Sequence, residues 1–196
     1  MRIFGVILAG GAARRMGGQD KALMLLGGQS LLAHVQARFA PQVERFAISA
    51  NGDAARFGGG APVLADAASQ GPLSGLLAAL DWAAPLGATA VASVAVDTPF
   101  LPADLVPRLC LAAESSAGGV AIASSGGVDH PTFGLWSVGL RDGLREFLAS
   151  GVKTRVMDFA RSHGAMRADF GDDGAFVNLN TPEDLAAAKA MMQGLA

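Results

Sequence analysis

The 196-residue chain is expected to fold as one α/β domain, a three-layer sandwich in which a mostly parallel sheet carries helices on both faces. Three observations point there. Short β-branched and apolar runs alternate with longer stretches of helical spacing, the pattern of strand–helix–strand units. The length suits one domain spanning residues 1–196 around a single hydrophobic core. A glycine-rich loop follows directly on the first apolar run, at the sheet end where open α/β sheets bind ligands.

Taken in order, the first strand is Ile3–Leu8, short, apolar and closed by glycines. Ser30–Phe39 has helical length and spacing, with Ser30 as its cap. Strands at Arg45–Ala50 and Pro62–Ala65 each run into a turn or a polar residue. Pro72–Ala84 is the next helix, since proline suits a first turn. Thr89–Val96 reads as a buried strand, and Leu101-Pro102-Ala103-Asp104 starts a helix through Leu105, Val106 and Leu109. The later part gives strands Val120–Ser124 and Thr132–Ser137, helices Val138–Ala149 and Thr154–Ser162, two short strands, and a last helix from Thr181. Thr181-Pro182-Glu183-Asp184 places a capping residue, a proline and two acids where a helix N-terminus wants them. Gly58-Gly59-Gly60 and Ser124–Gly127 are expected as surface loops.

Bulk properties exclude several classes of function. A hydrophobic fraction of 51% and a mean hydropathy of +0.37 come mainly from alanine and short strands, and no apolar run approaches the roughly 18 residues that cross a bilayer. Met1–Leu8 is a poor signal peptide, because its short apolar run leads into Gly10-Gly11 and then Arg14-Arg15. A net charge of −2 and a pI near 5.9 give no footing for nonspecific binding to nucleic acid or membranes. The single Cys110 excludes an intramolecular disulfide and a cysteine-rich zinc site, and is expected as a core thiol in a reducing cytoplasm. His34 and His163 are expected to be structural and surface residues, so the three histidines form no metal cluster.

The loop Leu8-Ala9-Gly10-Gly11-Ala12-Ala13-Arg14-Arg15-Met16-Gly17-Gly18-Gln19-Asp20-Lys21 carries the chemistry. Small residues let the backbone approach a ligand, and consecutive N–H groups can cradle phosphate. Two arginines and a lysine add cationic donors. The spacing is neither the P-loop nor the dinucleotide pattern. A plain glycine-rich turn with a solvated basic cluster is the alternative.

Two carboxylates and an amide follow other strands. Asp97, after the run Val91–Val96, opens Asp97-Thr98-Pro99-Phe100-Leu101-Pro102 and is placed either to hold a hard cation or to cap a turn. Asp66, before Gly71-Pro72-Leu73-Ser74-Gly75, is either a base-reading carboxylate or an ordinary turn residue. Asn51 ends Ile48-Ser49-Ala50-Asn51.

Leu8-Ala9-Gly10-Gly11, Arg15-Met16-Gly17 and Asp20-Lys21 together resemble the signature of nucleotidyltransferases with a Rossmann-like sheet. Arg14–Lys21 is similar more narrowly to the molybdenum cofactor guanylyltransferases, and the resemblance runs from Leu8 to Leu185. It implies a GTP and metal site in the N-terminal half and a molybdopterin side in the C-terminal half. Leu8, Ala9, Gly10, Gly11, Asn51 (or Ser49) and Asp66 would surround the nucleotide, Lys21 would reach its phosphates, and Asp97 would hold Mg²⁺, with Mn²⁺ as a substitute. Arg15 and Gly18 would lie toward molybdopterin, Arg15 joining Lys21 and Asp97 in catalysis.

On the acceptor side the resemblance implies His130, in Asp129-His130-Pro131-Thr132-Phe133, and Arg155, in Lys153-Thr154-Arg155. It also implies Asn178 and Asn180, two apart on an expected strand and so on one face. His130 could equally be a loop histidine satisfied by backbone, and Asn180 could simply shape the turn before Thr181. The chain departs from the family at Val96, where a cysteine is frequent, and at Thr154, where a second basic residue is frequent. The implied reaction is GMP transfer from GTP to molybdenum-molybdopterin with release of pyrophosphate. Molybdenum-insertion or molybdoenzyme chaperones would be partners. The alternatives are a cytidylyltransferase for the same pterin, a nucleotide-sugar enzyme on the same scaffold, or a nucleotide-binding insertion partner without turnover.

Overall fold

Successive residues of Ile3–Leu8 point to opposite sides of the sheet, and the chain exploits that parity. Phe4 and Val6 enter one hydrophobic layer and Ile7 the other, all three fully buried. A strand apolar on both faces belongs in the middle of a sheet covered on both sides. The computed structural model describes residues 1–10, 20–65, 71–150, 155–171 and 174–194, with residues 191–194 described by backbone alone.

Among the described residues the first half holds strands β1 (Ile3–Leu8), β2 (Leu25–Leu26), β3 (Gln29–Ser30), β4 (Arg45–Ser49), β5 (Val63–Leu64) and β6 (Ala90–Ala95), with helices α1 (Leu31–Phe39) and α2 (Pro72–Ala83). The second half holds α3 (Leu105–Ala113), β7 (Val120–Ser125), β8 (Val128–Ser137), α4 (Arg141–Ala149), α5 (Val156–Ser162), β9 (Met166–Asp169) and α6 (Pro182–Gly194). The main sheet has the order β5-β4-β1-β6-β8-β7-β9. Only β8 in this sheet runs against its neighbours.

Helices close both faces. Leu32, Val35 and Phe39 of α1 and Leu105, Val106 and Leu109 of α3 pack with Ile7, Ile48 and Val94. On the other face Leu73, Leu76 and Leu80 of α2, Leu144 of α4 and Phe159 of α5 pack with Phe4, Val6, Val91 and Trp136. Each such fully buried side chain contributes about 1.5–3 kcal/mol relative to exposure. The small β2–β3 hairpin and α6 share a third cluster of Leu26, Leu31, Leu179 and Ala188.

The expected helix starts are present. Ser30 Oγ accepts from the Ala33 N–H, capping α1. Thr181 Oγ1 accepts from the Asp184 N–H while Asp184 Oδ2 accepts from the Thr181 and Asn180 N–H groups, a reciprocal box at the head of α6.

Four expectations are corrected. Val138–Ala149 is not one helix, because Ser137 Oγ accepts from Gly139 N–H and holds Val138–Leu140 as a separate 3₁₀ turn. Ser124–Gly127 is only half loop: Ser124 and Ser125 end β7, Gly126 and Gly127, with φ of 56° and 79°, make a two-residue hairpin turn, and β8 starts at Val128 instead of Thr132. Of the two short late strands only β9 forms, and residues 177–180 bond to a loop instead. Cys110 is only half-buried, on the flank of the core, and that partial desolvation raises its thiol pKa.

Candidate active site

The parallel strands bring their carboxyl ends to one edge. Leu8 is level with Ser49 of β4 and Ala95 of β6. One residue further, the Ala9 N–H donates to the Ser49 carbonyl at 2.9 Å and the Val96 N–H to the Leu8 carbonyl at 3.1 Å. The chain therefore leaves the sheet at Ala9–Gly10, Ala50–Asn51 and Val96–Asp97 side by side. Helix α2 comes close behind this edge: a Cβ on Gly75 would stand 2.5 Å from Ser49 Oγ and 3.0 Å from Leu8 Cδ2. The second glycine of Gly71-Pro72-Leu73-Ser74-Gly75 is thus a packing requirement.

Lys21 and Asp97 meet in front of that edge. Lys21 opens a 3₁₀ turn, Lys21–Leu23, that Asp20 caps by accepting from the Ala22 N–H. Its ammonium lies 2.8 Å from Asp97 Oδ2 and 2.6 Å from Asn180 Oδ1. Both charged side chains are 23% exposed, so the pair is reachable from solvent yet partly shielded. The Asp97 turn is held from behind as well. The Leu179 N–H donates to the Asp97 carbonyl at 2.8 Å, and the fully buried Thr98 donates its hydroxyl to Asn178 Oδ1 at 2.5 Å. Residues 178 and 179 thereby touch the carboxylate loop, and Asn180 touches Lys21.

His130 reaches the same segment from β8. Its ring stacks on Phe176 with centroids 4.5 Å apart and planes 15° from parallel. Burial pushes the imidazole pKa below its ordinary value against the opposing pull of Asp129. Asp129 in turn is held below the usual carboxylate range by its paired hydrogen bonds from Arg167, at 2.7 and 3.0 Å, and by the nearby charge of Arg161.

Of the residues the sequence singled out, Lys21, Asp97, Asn178 and Asn180 form one bonded group, with His130 joined to it through Phe176. Leu8, Ala9, Gly10 and Asn51 stand at the adjoining strand ends. Arg155 lies apart at the head of α5, exposed, its guanidinium without a hydrogen-bond or ion-pair partner among the described residues. Gly11, Arg15, Gly18 and Asp66, with Thr154, lie outside the described residues. His34 is structural as expected, its Nε2 2.7 Å from the Leu26 carbonyl. The sequence assigned no separate role to Thr98, Asp20 or Arg56. Asp20 stood in the signature beside Lys21 and Thr98 in the hexapeptide that Asp97 opens, whereas nothing in the local pattern marks Arg56.

The donor set bears on a metal. No group of three or more His, Cys, Asp or Glu side chains able to hold an ion occurs among the described residues. A lone carboxylate at a strand end does not make a closed structural site. It fits a hard divalent cation that takes its remaining ligands from substrate phosphates and water.

The chain matches the family model described as MobA-like NTP transferase domain over residues 5–166. It is 57% identical over 194 residues to a protein of Cereibacter sphaeroides described as molybdenum cofactor guanylyltransferase, covering 98% of each chain. Among solved structures it resembles the molybdopterin-guanine dinucleotide biosynthesis protein A of Archaeoglobus fulgidus, with a TM-score of 0.77 at 19% identity over 97% of this chain and 99% of that one. It also resembles Rv0371C of Mycobacterium tuberculosis, solved as a complex with manganese, with a TM-score of 0.66 at 17% identity over 97% and 99% of the two chains. At such identities the two structures bear on the fold alone.

Proposed function

The chain belongs to the MobA-like NTP transferase family, and from that we propose that it is a molybdenum cofactor guanylyltransferase, moving GMP from GTP to the terminal phosphate of molybdenum-molybdopterin. A phosphate oxygen of the pterin attacks the α-phosphorus of GTP. The new O–P bond forms as the bond to the β-phosphate oxygen breaks, and pyrophosphate leaves with that electron pair. The attacking oxygen is already anionic, so no protein base is needed, and catalysis reduces to positioning and charge neutralisation.

One observation carries the reading: Lys21 and Asp97 converge at 2.8 Å on the carboxyl edge of the parallel strands. Asp97 would hold Mg²⁺ or Mn²⁺, which when bound neutralises charge on the triphosphate oxygens. Lys21 moves from Asp97 to the phosphates and offsets the charge gathering on the leaving pyrophosphate. In this reading Leu8, Ala9, Gly10 and Gly11 bind the nucleotide through their backbone, and Asn51 and Asp66 serve to recognise its base. Arg15, Gly18, His130 and Arg155 serve the acceptor, so the N-terminal half binds GTP and the metal and the C-terminal half the pterin. Asn178 and Asn180 serve the acceptor as well, and because their amide oxygens accept from Thr98 and Lys21 they also steady the metal-side machinery. No helix among the described residues is long and apolar enough to cross a membrane. A cytoplasmic location belongs to the proposal as the compartment of the proposed reaction.

Pyrophosphate release measured with GTP and with CTP, each with and without molybdenum-molybdopterin, tests the proposal. Release should require the pterin and favour GTP, and Asp97→Ala should abolish it in a folded protein. Preference for CTP, or turnover indifferent to the pterin, would overturn it.

A further inference from the structure

We infer that Arg56 is a positioning residue that fixes Lys21 by stapling Asp20 to the loop after β4. The inference rests on the reading of Lys21 as a phosphate-binding residue. The guanidinium of Arg56 makes a bond in each of three directions. Its Nε donates to Asp20 Oδ2 at 2.7 Å, one terminal nitrogen donates to the Asn51 carbonyl at 2.7 Å, and the other donates to the Asp53 carbonyl at 2.6 Å. Its plane carries the Phe57 ring with 4.2 Å from Cζ to the centroid. The Arg56 and Asp20 side chains are 23% and 28% exposed, so this is not a freely solvated surface pair, whose worth would be slight.

The loop that holds Arg56 is shaped for the task. Asp53 Oδ1 accepts from the Ala55 N–H and caps the 3₁₀ turn Ala54–Phe57. Gly52 has a φ of 89°, and a Cβ there would lie 3.2 Å from an Arg56 terminal nitrogen. Such a backbone favours glycine, and it curls the Asn51 and Asp53 carbonyls around one guanidinium. A planar fork with five donors can satisfy a carboxylate and two carbonyls at once, and an ammonium cannot do so in the same geometry.

Asp20 divides its carboxylate between two duties. Oδ1 caps the turn that begins with Lys21, and Oδ2 takes the Arg56 hydrogen bond. Fixing Oδ2 fixes the plane of the carboxylate and with it the Lys21–Leu23 turn. The Lys21 ammonium then rests within reach of both Asp97 and Asn180. Arg56 therefore connects Asn51, on the base side of the site, with Lys21, on the phosphate side. No role in the chemistry itself is required of it.

The test measures GTP affinity by calorimetry and pyrophosphate release for Arg56→Ala, Arg56→Lys, Asp20→Asn and the Arg56→Ala/Asp20→Asn pair. Arg56→Ala is expected to weaken GTP binding at least tenfold at unchanged stoichiometry, and kcat/KM for GTP should fall at least as far. The unchanged stoichiometry excludes an irreversibly misfolded fraction, and a urea transition showing the variant fully folded under the assay conditions excludes reversible unfolding, which would itself lower the apparent affinity. Arg56→Lys should not rescue, and the double variant should fall no further than the worse single one. Wild-type GTP affinity in Arg56→Ala, or effects of Arg56 and Asp20 that simply add, would overturn the staple. Lys21→Met separates the two levels. If it is impaired while Arg56→Ala is normal, only the staple falls. If Lys21→Met also binds and turns over GTP normally, the nucleotide-site reading falls and the staple with it.

Discussion

Replacing Lys21 by Met should have opposite effects on metal binding and on turnover. The ammonium sits 2.8 Å from Asp97 Oδ2, the oxygen that the proposed divalent cation would take. At that separation Coulomb's law bounds the attraction of two unit charges between about 1.5 kcal/mol in water and about 6 kcal/mol at an effective dielectric of 20, before desolvation is subtracted. Both side chains are 23% exposed, so solvent screening brings the net worth of the pair down to about 1–2 kcal/mol. A cation arriving without nucleotide must displace that interaction. Methionine keeps the aliphatic stem and removes the charge, so Lys21→Met should tighten Mn²⁺ binding by about 5- to 30-fold, the factor equivalent to 1–2 kcal/mol. A Mn²⁺ titration without GTP, followed by paramagnetic broadening of the Thr98 and Leu179 amide resonances, reads this directly. The same variant should lose about 10²–10³-fold in kcat, the usual cost of one charged donor to a developing anion. Equal Mn²⁺ affinity in the two folded proteins would refute the reasoning, because the ion pair would then not compete for the carboxylate.

Three further outcomes follow from the geometry. Thr98→Val leaves Asn178 Oδ1 without its buried donor and should cost about 1 kcal/mol in urea unfolding. It should also reduce kcat more than KM for GTP, and Thr98→Ser should restore most of the rate. Gly75→Ala gains about 1 kcal/mol of helix propensity but drives a methyl to 2.5 Å from Ser49 Oγ and 3.0 Å from Leu8 Cδ2. The overpacking costs up to about 3 kcal/mol, so the variant should be destabilised by about 1–2 kcal/mol in urea, and a gain in stability would contradict the packing. Asp129 has a folded pKa depressed chiefly by Arg167, so its contribution is present above the ordinary carboxylate pKa near 4 and is lost as pH falls through the lower folded value. The stability gap between the wild type and Asp129→Asn should therefore be widest near neutrality and narrow below about pH 4, as followed by urea unfolding across that range.

Much of the fold was legible because its signals are local. The parity of Phe4, Val6 and Ile7 marks a strand covered on both faces, and Ser30 and Thr181 announce α1 and α6 with side chains that cap them. What was misread depends on partners far along the chain. Phe176-Val177-Asn178-Leu179 alternates like a strand, yet the Leu179 N–H finds the Asp97 carbonyl, with no sheet edge involved. The start of β8 contains Asp129, His130 and Pro131, which carry no strand signal. It is extended because Gly126-Gly127 folds it back onto β7. The site divides in the same way. Lys21 and Asp97 were visible from their places after strands, whereas Arg56 matters only through Asp20, 36 positions away in sequence.

The arrangement around Lys21 also bears on how the proposed site can be ready before substrate arrives. The ammonium is already desolvated on one side by Asp97 and Asn180, and those two acceptors are themselves anchored. Asp97 is held through its carbonyl by Leu179, and Asn180 through its N–H by Asp184 at the head of α6. The two N–H groups that Asp184 accepts from lower its pKa below the ordinary carboxylate value. In the proposed reaction, transferring Lys21 from this cradle to a phosphate would exchange one set of charge-assisted hydrogen bonds for another, with little new side-chain ordering at the moment of reaction. Preorganisation of that kind is where electrostatic catalysis draws most of its advantage over water. It also accounts for the distance between α6 and the strands it serves: a helix remote in sequence supplies the rigid cap that a loop lysine lacks.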